Sequence, residues 1–382
     1  MTVSQTLRTA LVVGVSAVFI SGCGSGVSET RQVPLTPTGP STPGGGSGSV
    51  TLSTPTPVSP INGEQLSTLR PTLTVQNATS SQSGTRSYEF QVSDNTGFTL
   101  GASLTASFLV AVSQTGVPEG DGRTSFTVSS ELQPTTRMYW RARAVQGSST
   151  SAWSEPAMFR TKLVGYNRPG ELYDPLIHSE SIGIVEGAHT WIPGKGLRLD
   201  TERSYVRYQL GEAITNGEFS VEVEGLRPNG PDHKLKIFTM NDRDADPSFS
   251  NMYMAAMYRG RNGNPPNCIS FKAVFSSQAR IAEPNGPERD ASVRTLDRAR
   301  TYFWKATWGS EFRLLVLDGG IAGNSIYEMA KSVGGTLRGT HAWLGSNQAI
   351  TGSDAGTFPG ATYRQLWIGN RPRPTTLGNA LD

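Results

Sequence analysis

The sequence predicts an all-β protein with two sandwich domains. Gly and Pro are frequent, with 43 and 24 copies in 382 residues, and they separate many short apolar segments. Within these segments apolar and polar residues alternate with the period of two that is typical of strands, and no long stretch has helical periodicity. The chain is too long for one ordinary domain, and with 36% hydrophobic residues it is too apolar to be disordered throughout. Two folded all-β units with linkers follow.

The charge pattern argues against a nucleic-acid partner. The formal net charge is only +3. Neutralising phosphates requires clustered Lys and Arg, and the sequence has no such run. We therefore expect no nucleic-acid binding.

Residues 1–22 are predicted to be a signal peptide. Arg8 precedes an apolar run from Ala10 to Ile20, which is too short to cross a bilayer core of about 30 Å but typical of a signal-peptide core. The run ends in Ile20-Ser21-Gly22-Cys23, which resembles the lipobox of bacterial lipoproteins. The resemblance implies cleavage before Cys23 and attachment of membrane lipid to its thiol. An ordinary secretory signal remains the alternative.

Residues 23–56 are predicted to be a disordered tether. They are rich in Ser, Thr, Pro and Gly, and such a stretch buries too little apolar surface to offset its chain entropy. The position after Cys23 is not Asp, which by resemblance to enterobacterial sorting rules favours the outer membrane or the cell surface. The remaining cysteine, Cys268, precedes an apolar segment and is predicted to be a buried strand residue.

Residues 57–162 are predicted to form a β-sandwich of about 100 residues. The alternating segments are 72–75, 88–92, 125–128 and 138–145. Together with Pro60-x-Asn62-Gly63 and the closing Trp153-Ser154, these segments resemble bacterial fibronectin type III domains.

The resemblance predicts the two faces of the 138–145 strand. Trp140, Ala142 and Ala144 would point inward, and Arg141 and Arg143 would point outward with Tyr139. Trp153 would stack between the two guanidinium groups. This face is interpreted as self-stabilising, with a ligand patch as the alternative.

Residues 165–382 are predicted to form a larger two-sheet jelly roll. The predicted strands are 217–224, 235–240, 251–258, 268–275, 302–308, 312–318 and 363–368. Their order, with the motifs Gly217-x-Phe219-x-Val221 and Tyr302-x-Trp304-x-x-x-Trp308, resembles concanavalin A-like (laminin-G-like) domains. The resemblance implies a sandwich that holds polysaccharide or protein ligands, sometimes with calcium, and that some families use for glycoside cleavage.

Glu222 and Glu224 are the candidate catalytic residues. Carboxylates two residues apart on a strand are separated by roughly 6.5–7 Å, within the range used by glycosidases. The family-sixteen glycosidases carry Glu-x-Asp-x-x-Glu here, whereas this chain has Arg227 where the acid/base would fall. The alternative is that these glutamates form the solvated face of an edge strand, and we expect a non-catalytic protein.

Candidate ligand-binding and metal-binding residues lie on neighbouring strands and loops. Exposed aromatic rings pack against the C–H faces of sugars, and the candidates for this role are Tyr253, Tyr258, Trp304 and Trp308. Core packing is the alternative for each of them. Three alternate carboxylates could supply oxygen ligands to calcium, namely Asp242, Asp244 and Asp246. A solvated turn is the alternative.

Three hypotheses about function follow. The first is a lipoprotein that binds carbohydrate through its C-terminal domain. The second is a glycoside-cleaving enzyme, and the third is a non-catalytic module that binds a surface protein.

Overall fold

The computed structural model describes residues 49–99, 108–228, 235–245, 251–260, 265–275, 280–281, 291–332, 335–347 and 356–381. The predicted signal peptide, Cys23 and most of the predicted tether lie outside these ranges. No helix within them is long and apolar enough to cross a membrane.

The first domain consists of two sheets. Its strands are β1 (Thr56–Ser59), β2 (Glu64–Gln65), β3 (Thr72–Gln76), β4 (Ser87–Ser93), β5 (Ala111–Pro118), β6 (Arg123–Thr127), β7 (Arg137–Gln146), β8 (Ser149–Thr150) and β9 (Ala157–Arg160). One sheet has the order β1-β3-β6, and the other has the order β2-β9-β7-β4-β5, with β8 paired to β7.

Strand β7 shows why these two sheets form a sandwich. Its residues alternate between buried and half-buried along the whole strand, as expected for a strand with one face in a core. Trp140, Ala142 and Ala144 are fully buried, and the Trp140 indole donates a hydrogen bond to the Pro60 carbonyl at 2.7 Å. The predicted inward face is confirmed.

The second domain contains the remaining strands. They are β10 (Tyr166–Arg168), β11 (Glu171–Asp174), β12 (Ile184–Glu186), β13 (His189–Ile192), β14 (Gly196–Leu199), β15 (Tyr205–Ile214), β16 (Gly217–Glu224), β17 (Leu235–Asn241), β18 (Tyr253–Tyr258), β19 (Ile269–Val274), β20 (Arg280–Ile281), β21 (Thr301–Trp308), β22 (Glu311–Asp318), β23 (Asn324–Ser332), β24 (Gly339–Leu344) and β25 (Ala361–Gly369). A short 3₁₀ helix spans Asn379–Leu381.

These strands form two antiparallel sheets that face each other. The first has the order β10-β11-β25-β16-β21-β22-β23, with β13 and β14 attached at β25, and the second has the order β12-β15-β24-β17-β18-β19-β20. Apolar side chains from both sheets share one core. Phe219 of the first sheet stacks on Phe238 of the second with ring centroids 4.1 Å apart. The predicted all-β fold, a sandwich followed by a larger jelly roll, is confirmed.

A C-terminal segment, residues 374–381, joins the two domains, and we call it the clasp. The Thr376 hydroxyl donates to Asp94 at 2.8 Å, and the Gly378 N–H donates to the Thr135 carbonyl at 2.9 Å. The Arg137 N–H donates to Asn379 Oδ1 at 2.7 Å. The end of the second domain is therefore hydrogen-bonded to two segments of the first, one at Asp94 and one at residues 135–137.

Candidate functional site

The four aromatic residues predicted to stack on sugars are buried. Tyr258, Trp304 and Trp308 belong to the core between the two sheets, and none is more than 3% exposed. Tyr253 points to the opposite face of its strand but is only 4% exposed. None of these rings presents an open face to a ligand, so the alternative of core packing applies. Trp304 and Trp308 lie on the same face of β21, in agreement with their i, i+4 spacing on a strand.

Glu222 is buried in an ion pair. Arg364 Nε donates to Glu222 Oε2 at 2.7 Å, and the Ile321 N–H donates to Oε1 at 3.1 Å. Strand β16 pairs with β21 on one side and β25 on the other, so the interpretation as a solvated edge strand is wrong. Burial occurs because the β22–β23 turn, with Gly320 and Ile321, lies over the carboxylate.

Glu224 also has a cationic partner. Lys195 Nζ donates to Glu224 Oε1. Neither candidate carboxylate is therefore a free acid or base, and both have the contacts of structural ion pairs.

The candidate calcium loop has its described carboxylates bound to arginines. Asp242 accepts hydrogen bonds from Arg243, one of them at 2.9 Å, and Asp244 accepts one from Arg207. Asp246 lies outside the described residues. Across the ranges that the structure describes, no group of three or more His, Cys, Asp or Glu side chains is arranged to hold a metal ion. The contacts of Asp242 and Asp244 favour the alternative of a surface turn.

The outer face of the first domain matches its prediction. The Arg141 and Arg143 guanidinium carbons each lie 4.6 Å from the centroid of the Trp153 ring. Gln91 and Glu89 accept hydrogen bonds from these two arginines. The face is thus occupied by its own side chains, as the self-stabilising interpretation requires.

A pocket of about 470 Å³ lies between the two domains. Gln65 and Arg160 line it from the first domain, Leu163 from the linker, and Trp191 and Arg364 from the second. Its volume falls within the range of about 300–1,000 Å³ that is usual for small-molecule sites. No sequence motif marks this site, because it is formed by segments that are distant along the chain.

The β13–β14 hairpin brings Trp191 to the pocket. Lys195 N–H donates to the Ile192 carbonyl at 3.0 Å and closes the turn. At Gly196, with φ of +128°, an added Cβ would lie 2.2 Å from the Tyr363 carbonyl oxygen. Only glycine permits this approach of the hairpin to β25. Trp191 is partly buried against the core and also lines the pocket.

The 176–179 loop forms another wall and has a strained backbone. Leu176, His178 and Ser179 all have positive φ, between 53° and 61°, and His178 and Ser179 line the pocket. Such backbone conformations each cost roughly 1–3 kcal/mol and persist only where neighbouring contacts impose them.

Asp174 imposes the conformation of this loop. Its Oδ1 accepts the Leu176 N–H at 3.0 Å, and its Oδ2 accepts the Ser181 hydroxyl at 2.6 Å and the Tyr208 hydroxyl at 3.0 Å. Burial raises the pKa of the Asp174 carboxyl, although the hydrogen bond from Ser181 opposes this shift.

Two arginines give the pocket a positive charge. Arg160 Nε is buried and donates to no described acceptor. Arg364 reaches the pocket from β25 while its Nε is held by Glu222. No Asp or Glu occurs among the described residues that line the pocket. The site therefore combines an aromatic surface, two guanidinium groups and the polar groups of Gln65, His178 and Ser179.

Comparison with known proteins identifies the first domain. A family model described as "Rha78A-like, N-terminal immunoglobulin domain" matches residues 62–165. No curated protein matches the sequence.

Two solved structures resemble the chain distantly. One is the enzymatically active domain of tailspike protein 2 from bacteriophage CBA120, with 9% identity and a TM-score of 0.33, and the match covers 55% of this chain but only 31% of that one. The other is the exoplasmic/lumenal domain of VIP36 in a form bound to Ca²⁺ and Man3GlcNAc, with 14% identity and a TM-score of 0.34, covering 55% of this chain and 92% of that one. At these TM-scores neither likeness bears on the function of this chain. The family match makes residues 62–165 an immunoglobulin-like domain.

Proposed function

We propose that the protein is a membrane-anchored lipoprotein that binds carbohydrate in the pocket between its two domains. The observation that carries this proposal is the partly exposed indole of Trp191 inside a cavity of about 470 Å³. The apolar face of a sugar ring packs against such an indole, while its hydroxyls require hydrogen-bond partners at the rim. Gln65, Arg160 and His178 supply polar groups of this kind.

Binding without cleavage is the form of the function that the ion pairs support. Glu222 is bonded to Arg364, and Glu224 is bonded to Lys195. A catalytic carboxyl group must reach the substrate within hydrogen-bond distance, whereas these two carboxylates are bonded to cationic side chains of the protein itself.

The anchor is proposed from the lipobox ending in Cys23. Each buried acyl CH₂ contributes about 0.8 kcal/mol to membrane affinity, so two or more chains give a stable attachment. Expression with radiolabelled palmitate tests this part of the proposal. We expect label in the wild-type protein and none in Cys23→Ser, and an unlabelled wild-type protein would contradict the anchor.

A glycan array probed with the full-length protein in detergent tests the binding function. We expect binding of at least one glycan, and a loss of about 10-fold or more in affinity for Trp191→Ala, because one removed ring contact and its apolar burial are worth about 1.4 kcal/mol or more. Trp153→Ala is the matched control, since Trp153 is also half-buried but lies on the outer face of the first domain.

Three results would contradict the proposal. Absence of binding to every glycan would overturn it, and so would equal binding by the wild type and Trp191→Ala. Release of new reducing ends that stops in Glu222→Gln would favour the glycosidase instead.

A protein-binding module is the second candidate, and one surface favours it. Strand β12 is an edge strand; Ile184, its first residue, is 51% exposed, and Ile182, just before it, is 42% exposed. Exposed apolar edges are sites where another chain can pair. Retained glycan binding in Ile184→Lys would separate this surface from the pocket.

A further inference from the structure

We infer that the pocket selects saccharides that carry a carboxylate, such as hexuronic acid units. This inference rests on the proposed function, because it specifies the class of sugar that the same pocket binds. It is carried by the arginines around the pocket and by the absence of carboxylates among its described lining residues.

Arg160 is the central group. Its Nε is buried and donates to no described acceptor, and none of the described ion pairs involves its guanidinium. A buried charged donor without an acceptor is unfavourable, because the lost hydration is not replaced. An anionic ligand would supply the missing acceptor.

Arg364 supplies a second guanidinium group, on the pocket wall that the second domain forms. Its described ion pair with Glu222 uses Nε alone. Guanidinium carries five N–H donors, and the Nη groups of Arg364 donate to no described acceptor. The pocket therefore has positively charged donors on two walls, and only one of the two arginines has a described carboxylate partner.

A carboxylate fits this arrangement better than a neutral hydroxyl does. Guanidinium and carboxylate form paired, charge-assisted hydrogen bonds that are shorter and stronger than neutral ones. A hexuronic acid differs from a neutral hexose by a carboxylate in place of the hydroxymethyl group. It can therefore pack its ring on Trp191 and direct the carboxylate to Arg160 or Arg364.

Matched pairs of oligosaccharides test the inference on the full-length protein. The probes are glucuronan with glucan, galacturonan with galactan and mannuronan with mannan, each pair having the same linkage, measured by calorimetry. We expect at least a 10-fold preference for an acidic member at low salt. We also expect this preference to shrink as the salt concentration rises, because screening weakens charged contacts.

Substitution of Arg160 provides a second test of the inference. Arg160→Gln should remove most of the preference for the acidic sugar, because it should lower the affinity for the acidic member far more than the affinity for its neutral counterpart. Arg313→Gln, an exposed arginine on β22, is the control and should change neither. Arg160→Lys should retain part of the preference, because lysine keeps the positive charge but lacks the paired N–H donors of a guanidinium group.

The outcomes separate the inference from the proposed function. Equal affinity for acidic and neutral members, with a loss of both in Trp191→Ala, would overturn the inference and leave carbohydrate binding in place. An unchanged acidic preference in Arg160→Gln would also overturn it. Binding of sulfated but not carboxylated sugars would overturn the carboxylate assignment, and binding of no probe would overturn both proposals.

Discussion

Trp304 and Trp308 lie on the same face of β21, and both indoles are buried in the core. An i, i+4 spacing places two residues on one face of a strand. The spacing alone could not assign that face, because aromatic residues occur both in cores and in sugar sites. The second sheet packs on this face and buries both indoles, and packing of this kind depends on residues far along the chain.

Replacement of Trp304 by Ala is expected to destabilise the protein by about 3–5 kcal/mol, the range for deleting a large buried aromatic side chain. Trp191→Ala should cost only about 1 kcal/mol, because its ring is already partly exposed. Urea unfolding of both variants measures the two losses. Equal losses would contradict the assignment of Trp304 to the core and Trp191 to the pocket.

His341 is expected to make stability depend on pH. Burial lowers the pKa of its imidazole, and the nearby Arg207 acts in the same direction while Asp244 opposes it. A lowered pKa means that the folded state binds fewer protons than the unfolded state below pH of about 6.5. The stability that His341 contributes is therefore present above this pH and is lost as the pH falls through the folded pKa.

Urea unfolding at pH 7.5 and 5.5 measures this effect. The wild type should lose more stability on acidification than His341→Gln, which has no titrating group at this position. A variant with the same pH dependence as the wild type would show that other groups are responsible.

At the level of single elements, strand positions were predicted better than strand neighbours. The predicted segment 217–224 coincides with β16, and the predicted strand at 312–318 differs from β22 by one residue. Period-two alternation is a local property and can be detected in the sequence.

The central position of β16 in its sheet was missed, because its two partner strands are far away along the chain. Strands β23 and β24 were also missed; β23 is an edge strand with polar outer residues, and β24 is short and begins with glycine.

The β22–β23 turn is expected to tolerate no side chain at Gly320. Its φ is +77°, and an added Cβ would lie 2.7 Å from Glu222 Oε1. Gly320→Ala should therefore destabilise the protein by about 2–3 kcal/mol, from the left-handed backbone and the displaced carboxylate together.

Gly122→Ala is the matched control for this substitution. Gly122 has a similar φ of +67°, but an added Cβ would contact nothing within 4 Å. We expect it to cost only about 1 kcal/mol. Equal losses of unfolding free energy in the two variants would mean that the contact with Glu222 contributes nothing.

For the whole molecule, the sequence predicted two domains but not how they are joined. Composition and turn spacing are sufficient to predict two sandwiches, because each depends on segments that are close in sequence. The clasp and the pocket depend on contacts such as that between Gln133 and Thr376, which are 243 residues apart. Trp191 and Arg160 have no local pattern that marks them as neighbours. The predicted site residues therefore fell within single strands and loops, whereas the candidate site lies between domains.

The clasp is expected to couple the unfolding of the two domains. Asn379→Ala removes the acceptor of the Arg137 N–H, and leaving such a donor unpaired costs about 1–3 kcal/mol. Calorimetry of the wild type should show one transition, and the variant should show two. Asn324→Ala, at an exposed position on β23, is the control with one transition. A single unchanged transition in Asn379→Ala would contradict the coupling.

The clasp also determines when the pocket can form during synthesis. Ala380 and Leu381 line the pocket together with Gln65 and Arg160, so its walls come from segments more than 200 residues apart along the chain. Domains generally fold in order of synthesis, beginning at the N-terminus. Each sandwich can bury much of its own core before residue 381 has emerged, but the pocket is complete only afterwards. If the proposed function holds, a chain that lacks residues 374–381 also lacks part of the pocket wall and should bind its ligand more weakly.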